Sequence, residues 1–220
     1  IQTMRISIPE GQASTPERVA RMQHDIVEQI ATIPEVTAAT FATALPMELE
    51  YENNMVVMAE GMAYPEGIPP LRRSKAVAPG FFTALGIPLL AGRDFTWTDV
   101  HDRRGVTVVS ENLAREWWGE PAAALGKRIR IGRAGPLNEV IGVVGDIHDS
   151  GVDQSPPNIV YWRAGASTVG GPQPVFIPRD MTFAIRSDRT GSEDLIRQVG
   201  RAVWGVNPNL PIARLQTLGG

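Results

Sequence analysis

The 220-residue sequence contains no cysteine. Disulfide bonds, thiolate zinc sites and a cysteine nucleophile are therefore excluded, because each of them requires a thiol. The absence does not distinguish an oxidising from a reducing compartment, since proteins of both kinds can lack cysteine. It indicates that the fold is held together by its hydrophobic core.

An excess of basic residues is also absent. The chain carries 21 Lys and Arg against 24 Asp and Glu, which gives a formal net charge of −3 at pH 7. The two signs are interspersed, without a long run of either. Nucleic-acid-binding domains usually show a basic patch or stripe, so nucleic acid is not expected as a partner.

No apolar run is long enough to cross a membrane, since a spanning helix needs roughly 20 mostly apolar residues. The longest candidate, residues 76–92, is interrupted by two prolines and two glycines. The sequence opens at Ile1 rather than at a methionine, and no apolar leader follows. We therefore expect this chain to be a fragment of a longer protein.

The sequence motifs of common catalytic sites are missing. There is no G-x-x-x-x-G-K-[ST] phosphate loop, no G-x-G-x-x-G after a strand and no G-x-S-x-G nucleophile elbow. We find neither a plausible triad nor a carboxylate pair. The sequence therefore predicts a domain that is not an enzyme and binds no cofactor or metal.

The two ends of the chain share one pattern of strand, helix and strand. At the N-terminal end, alternating residues 3–9 and residues 36–43 predict strands around a helix with Thr15 at its N-cap. At the C-terminal end, residues 181–187 and 211–217 predict strands around a second helix. Thr190 and Glu193 fit a capping box at the start of that helix.

Two such units favour one four-stranded sheet covered by two helices, the split βαβ or ferredoxin-like arrangement. We expect an α+β fold in which residues 1–45 and 180–220 form this subdomain and residues 46–179 form a β-rich insertion. Within the insertion, short strands alternate with helical segments at 79–86 and 110–119. Residues 164–178 are rich in Gly and Pro and predict a mobile loop or a linker. The crossings near 45–54 and 164–180 are candidate hinges.

The segment "GDIHDSGVD", residues 145–153, concentrates polar residues that could bind a metal or act in catalysis. Asp146, His148, Asp149 and Asp153 offer suitable oxygen and nitrogen ligands. Against a metal site, two of the acids lie in a "DSG" turn, where Asp commonly bonds its own backbone. We interpret the segment as a structural turn.

Four other side chains were candidates for a functional role. His101 is predicted to lie in a surface turn, and His24 on the solvent side of the first helix. Trp117 and Trp118 are adjacent in a helix, so one of them can face the core while the other cannot easily do so. An exposed Trp is typical of binding hot spots, which makes the pair a candidate partner contact. The alternative is that both pack beneath a neighbouring loop.

Three segments, read in order, resemble a known family. They are residues 77–99, 106–132 and 139–162, with the landmarks "PGFF" (79–82), "GIP" (86–88), "GRDF" (92–95), "GKRI" (126–129) and "VVGD" (143–146). The chain resembles the MacB-type periplasmic core domain of ABC transporter permeases, most of all the duplicated orphan permeases of acidobacteria. The resemblance extends over essentially the whole chain. An arginine is more usual in the family where His148 stands, which weakens a metal-ligand reading of that position.

The resemblance implies a periplasmic domain between the first two transmembrane helices of a permease. It implies a porter-like half built from both chain ends and an inserted, sabre-like half. It also implies a non-catalytic role in transmitting conformational change, with ATP bound only at a separate ATPase subunit. The implied partners are the permease helices, that ATPase, an adaptor protein and a second permease in a dimer.

A different class of function stays open because fold does not determine function. The same scaffold could serve as a stand-alone extracytoplasmic sensor or small-molecule-binding module. Such a module would show an apolar pocket with convergent polar groups and saturable ligand binding.

Overall fold

The computed structural model describes residues 1–51, 53–165 and 177–218. The α-helices are α1 (Pro16–Ala31), α2 (Phe81–Leu85), α3 (Trp97–His101), α4 (Glu111–Trp118) and α5 (Glu193–Val206). The strands are β1 (Gln2–Ser7), β2 (Val36–Ala42), β3 (Asn54–Ala59), β4 (Leu71–Val77), β5 (Leu89–Gly92), β6 (Val106–Ser110), β7 (Arg128–Ile131), β8 (Asn138–Val144), β9 (Ile159–Arg163), β10 (Asp180–Ser187) and β11 (Ile212–Thr217). The mixed α+β class expected from the sequence is confirmed.

The chain ends form a four-stranded antiparallel sheet in the order β11-β1-β10-β2. This is the strand order of a split βαβ arrangement. Alternate residues of β1 and β10 pack with the apolar faces of α1 and α5 in one core cluster, which includes Met4, Ile26, Phe183 and Val199. The helices therefore cover one face of this sheet.

The opposite face of β1 is not exposed, contrary to the half-buried strand that its alternation predicts. Thr3 and Arg5 are 2% and 6% exposed. The Arg5 guanidinium lies 3.4 Å from the centroid of the Tyr51 ring, and its Nε pairs with Asp180 at 3.0 Å. The turn after β2 thus covers this face, and that contact is not evident from the periodicity of β1.

The middle of the chain forms a closed ring of six strands, β4-β3-β7-β8-β6-β9, which returns to β4 through a parallel β4–β9 ladder. We call this ring the barrel. A cluster with residues from β3, β6, β7, β8 and β9 fills it, and Leu113 and Ala114 of α4 pack against that cluster. Trp162 is its largest side chain, and its indole nitrogen donates to Ser74 Oγ at 2.6 Å.

Barrel and four-stranded sheet belong to one continuous sheet, joined where Ala42 of β2 pairs with Val77 of β4. Helix α2 packs at this junction: Phe81 and Phe82 share a cluster with Ala42, Val77 and Ala184. We call the cluster around Phe81 and Phe82 the junction cluster, and the one that fills the barrel the barrel cluster. Successive residues of β9 face different clusters, since Tyr161 belongs to the junction cluster and Trp162 to the barrel cluster.

Three elements and one cap differ from the sequence-based expectation. Strands β5 and β9 and helix α3 were not predicted. The apolar residues of β5 and β9 do not alternate with polar ones, and α3 has a single pair of apolar residues at helical spacing. The N-cap of α5 is Ser192, whose hydroxyl accepts from the Leu195 amide at 3.2 Å. The proposed Thr190 cap is therefore wrong, and the Thr190 hydroxyl instead donates to Ser187 O at 2.7 Å.

The predicted linker at 164–178 lies largely outside the described residues, since the structure describes only Ala164, Gly165, Ile177 and Pro178 of it. Gly170 and Gly171, which belong to the candidate hinge near 164–180, also lie outside. Within the ranges that are described, no helix combines the length and apolar character needed to cross a bilayer.

Candidate functional site

The polar segment 145–153 does not assemble its four candidate ligands around one point. Asp146 Oδ1 accepts from the Asn112 amide at 3.0 Å and so caps the start of α4. Its pKa is raised, because burial disfavours the charged carboxylate. His148 Nδ1 lies 2.9 Å from the Gln154 carbonyl oxygen, and Asp153 Oδ2 accepts from the Gln154 side chain at 3.2 Å. Across the described ranges, no three His, Cys, Asp or Glu side chains are grouped so that they could hold a metal.

The interpretation of the segment as a structural turn does not account for Asp149. Its side chain is fully buried, and Oδ1 lies 2.8 Å from Lys75 Nζ, which is itself 2% exposed. Arg73 Nη1 lies 3.6 Å from Oδ2. The carboxylate thus neutralises buried basic charge from β4, as a buried charge requires. The available signal was the run of four polar residues at 72–75 inside a predicted strand, of which Ser74 and Lys75 are buried.

Trp117 and Trp118 are both half-buried and pack on the barrel cluster. Their rings meet edge to face, with centroids 5.5 Å apart. Neither ring is fully exposed and neither is fully enclosed, so a partner contact at this pair stays a prediction.

Trp117 also lines a groove of about 430 Å³ at the end of the barrel far from the junction. The loop between β3 and β4 forms the opposite wall, with Met62, Tyr64, Pro65, Ile68 and Pro70. Ile68 is 66% exposed. We call this feature the distal groove, and its apolar and aromatic lining with a few polar side chains has the composition of a binding site.

Polar contacts hold the floor of the distal groove in place. Arg72 pairs with Glu116, and its guanidinium lies 5.7 Å from the centroid of the Trp117 ring. Glu116 also accepts from the Asn158 side chain. These contacts join β4, α4 and the start of β9, so the position of Trp117 is set by three elements.

His24 and His101 meet, which their predicted positions did not indicate: His101 is exposed but belongs to α3 instead of a turn, and His24 is half-buried. Nδ1 of His24 lies 2.9 Å from Nε2 of His101, and the His24 ring stacks on Trp97 with centroids 3.8 Å apart. Burial lowers the pKa of His24, an effect that the nearby Glu28 carboxylate opposes. The spacing of Trp97 and His101, four residues apart, would have indicated this face had α3 been recognised.

Asp99 was not singled out in the sequence but is a strongly organised carboxylate. Its side chain is fully buried, and Arg93 donates to both of its oxygens, at 2.6 and 3.1 Å. Burial disfavours the charged form. The Arg93 guanidinium and the Thr96 hydrogen bonds outweigh that effect and lower the pKa of Asp99 to about 2. This arrangement is a capping box for α3.

Comparison with known proteins identifies the scaffold. The family model described as "MacB-like periplasmic core domain" matches residues 2–201 of the chain. No curated protein matches this chain in sequence.

Three solved structures share the fold. The periplasmic region of MacB from Actinobacillus actinomycetemcomitans superposes with a TM-score of 0.56 at 17% identity, covering 96% of this chain and 88% of that one. The extracellular domain of the noncanonic ABC-type transporter YknZ from Gram-positive bacteria gives 0.53 at 15% identity, covering 97% and 100%. A domain of a putative permease protein from Porphyromonas gingivalis gives 0.51 at 15% identity, covering 99% and 92%.

Proposed function

Because the chain belongs to the family of MacB-like periplasmic core domains, we propose that it is the extracytoplasmic domain of an ABC-type permease and transmits conformational change there without catalysis of its own. The observation that carries this proposal is the family match across residues 2–201. The shared fold with permease domains supports it.

The architecture supports a division into two functional parts. We propose that residues 1–45 with 180–220 form a porter-like subdomain and that residues 46–179 form a sabre-like one. The four-stranded sheet draws on both chain ends, and Leu218 N donates to Ile1 O at 2.9 Å. Both ends of the described chain thus lie side by side, at the same end of the neighbouring strands β1 and β11, as suits a domain inserted between two segments of a longer protein.

We propose the partners by the same reasoning. They are the transmembrane helices of the permease and an ABC ATPase subunit, which would hold the ATP, so that this domain itself needs no cofactor. A periplasmic adaptor and a second permease in a dimer complete the proposal. The distal groove, with Trp117 on one wall and exposed apolar side chains on the other, is a suitable surface for an adaptor.

A small-molecule sensor is the competing function. The observations that favour it are the size and the aromatic lining of the distal groove. Substituting Trp117 and Trp118 separately by Ala distinguishes the alternatives. A partner contact predicts loss of complex formation with fold retained, whereas a sensor predicts loss of saturable ligand binding. Loss of folding in both variants would remove both roles from this pair.

The decisive experiment places a single cysteine at exposed Asp153 in the full-length protein, with any cysteines outside residues 1–220 removed. The present chain contributes none, so Asp153→Cys is the sole target. We expect a membrane-impermeant maleimide to label it from the extracytoplasmic side, at a rate that differs between the ATP-bound and nucleotide-free transporter. Labelling only from the cytoplasmic side would contradict the location, and equal rates in both states would contradict transmission.

A further inference from the structure

Asp149 lies where the chain passes from the four-stranded sheet to the barrel. We call residues 43–51, which follow β2, the first crossing. Asp149 and its partner Lys75 are both buried beneath it, and their charged atoms are 2.8 Å apart. Lys75 is two residues before Val77, the residue of β4 that pairs with β2. The ion pair therefore lies close to the point where the two parts of the sheet join.

Both members of the pair hold the first crossing. Lys75 Nζ donates to the carbonyl oxygens of Ala44 and Leu45, at 3.3 and 3.4 Å. The Met47 amide donates to the carbonyl oxygen of Asp149 at 2.8 Å. The crossing is thus bonded to β4 on one side and to the segment after β8 on the other.

Glu48 extends this network to the four-stranded sheet. Its carboxylate accepts from the Leu45 amide at 2.7 Å and from the Thr182 hydroxyl of β10 at 3.2 Å. Thr182 Oγ1 in turn accepts from Arg5 Nη1 of β1 at 2.6 Å. Hydrogen bonds and ion pairs therefore run without a break from the barrel, through the first crossing, to the two central strands of the sheet.

We propose that Asp149 is a latch that fixes the orientation of the barrel relative to the four-stranded sheet, acting through Lys75, the first crossing and Glu48. A buried carboxylate has few arrangements that satisfy its charge, so the segment bonded to it is held in one position. Coupling of this kind is a property of the folded domain. Its use in transmitting motion rests on the function proposed above.

The alternative is that the ion pair only fills space and stabilises the fold. Stability alone does not distinguish the two, because both ideas predict a loss. The relative position of the two parts does distinguish them, since a space-filling pair leaves it unchanged in any variant that still folds.

The test measures the distance distribution between two spin labels in the isolated domain. Exposed positions on opposite parts, Arg201 of α5 and Ala123 beside the barrel, are changed to Cys in this cysteine-free chain. Asp149→Asn removes the charge at nearly constant volume. Asp153→Asn, at an exposed acid of the same segment, is the matched control.

We expect a broader distance distribution in D149N and an unchanged one in D153N. We also expect the Met47 amide of D149N to exchange with solvent at least about tenfold faster, because the segment that holds it opens locally. A folded D149N with the wild-type distribution would overturn the proposal.

If D149N does not fold, Glu48→Ala decides, because Glu48 is only half-buried and its removal breaks the onward link to Thr182. An unchanged distribution in E48A would overturn the latch, and a broadened one supports it. This experiment uses neither membrane nor ATPase. A negative labelling result in the full-length transporter would therefore refute the function while leaving the latch intact.

Discussion

Asp99 illustrates how one carboxylate can organise several elements at the scale of a residue. Its carboxylate accepts hydrogen bonds from the two terminal guanidinium nitrogens of Arg93, just after β5, and from the amide and hydroxyl of Thr96, at the start of α3. Since hydrogen bonds to a charged acceptor are the strong ones, this residue contributes more than an ordinary N-terminal acid.

Replacing Asp99 by Asn should therefore be costly. We expect Asp99→Asn to lower the free energy of unfolding by about 2 to 3 kcal/mol, through loss of a charge-assisted cap and of the Arg93 pair. Urea denaturation measures the change. Asp102→Asn is the control, since that side chain is 58% exposed and should cost about 0.5 kcal/mol or less. Equal effects of the two substitutions would contradict the assigned role.

The lowered pKa of Asp99 predicts that the free energy of unfolding decreases in acid over a defined pH range. The pKa of Asp99 falls from the ordinary 3.8 to about 2 on folding, so the unfolded chain takes up this proton first as the pH falls. The stabilisation is fully present above about pH 4 and is lost as the pH falls towards about 2. Stability curves for wild type and D99N should converge across this window. Curves that stay parallel would show that Asp99 does not titrate there.

At the scale of elements, the start of α5 depends on Ser192. We expect Ser192→Ala to destabilise the protein by about 1 kcal/mol, because the Leu195 amide loses its acceptor. Thr190→Ala is the matched control and should cost less, since its hydroxyl bonds to a turn carbonyl and to no amide of the helix. Thermal or chemical denaturation of the two variants measures the difference. A larger cost at Thr190 would restore the sequence-based capping box.

Helices α1 and α3 meet through the His24–His101 pair, and this contact should weaken in acid. Burial lowers the pKa of His24 despite Glu28 and Asp25, while Arg21 and His101 also disfavour its charge. The unfolded chain then binds the proton more readily than the folded one. The contribution of neutral His24 to the free energy of unfolding is therefore fully present above about pH 6.5 and declines as the pH falls below that value.

An NMR titration of the histidine rings tests this directly. We expect the His24 ring to titrate below pH 6.5, and the double variant H24Q/H101Q to show a flatter dependence of melting temperature on pH between about 7 and 5. His148→Gln is the control for removal of a histidine elsewhere. A His24 midpoint at or above the ordinary value would contradict the expectation.

The long elements could be predicted from the sequence because their patterns are local. Helices α1 and α5 show apolar stripes, and β1 and β10 alternate over six or more residues. Strand β5 shows no alternation of apolar and polar residues, and α3 has one pair of apolar residues at helical spacing, so neither has a pattern that identifies it. The His24–His101 and Lys75–Asp149 contacts join residues 77 and 74 positions apart in the chain. Such pairs depend on tertiary packing, which no local pattern encodes.

At the scale of the whole molecule, the two parts of the sheet are not separately enclosed. The cluster beneath α1 and α5 also contains Ala78, Val100 and Ile177, which come from the middle of the chain. Strands β2 and β4 pair at the junction, and α2 packs across it. The repeated pattern at the two chain ends predicted the four-stranded sheet, whereas closure of the barrel through the parallel β4–β9 pair had no sequence signal.

This shared core predicts that the isolated domain unfolds as one unit. We expect a single calorimetric transition whose calorimetric and van't Hoff enthalpies agree. An apolar substitution in the barrel, such as Val57→Ala, should shift the whole transition to lower temperature. Two resolved transitions, with only one of them shifted by V57A, would show that barrel and four-stranded sheet fold independently.

The adjacency of Ile1 and Leu218 determines how the domain would respond to a pulling force. Strands β1 and β11 are antiparallel neighbours whose open ends coincide, with Gln2 opposite Thr217. A load that separates the two ends pulls β1 and β11 apart in the unzipping geometry. It is therefore carried by one hydrogen bond at a time and not by the whole ladder at once. The domain resists tension between its ends weakly at this pair. A rotation or translation that moves both ends together leaves the ladder unloaded and carries the whole sheet with it.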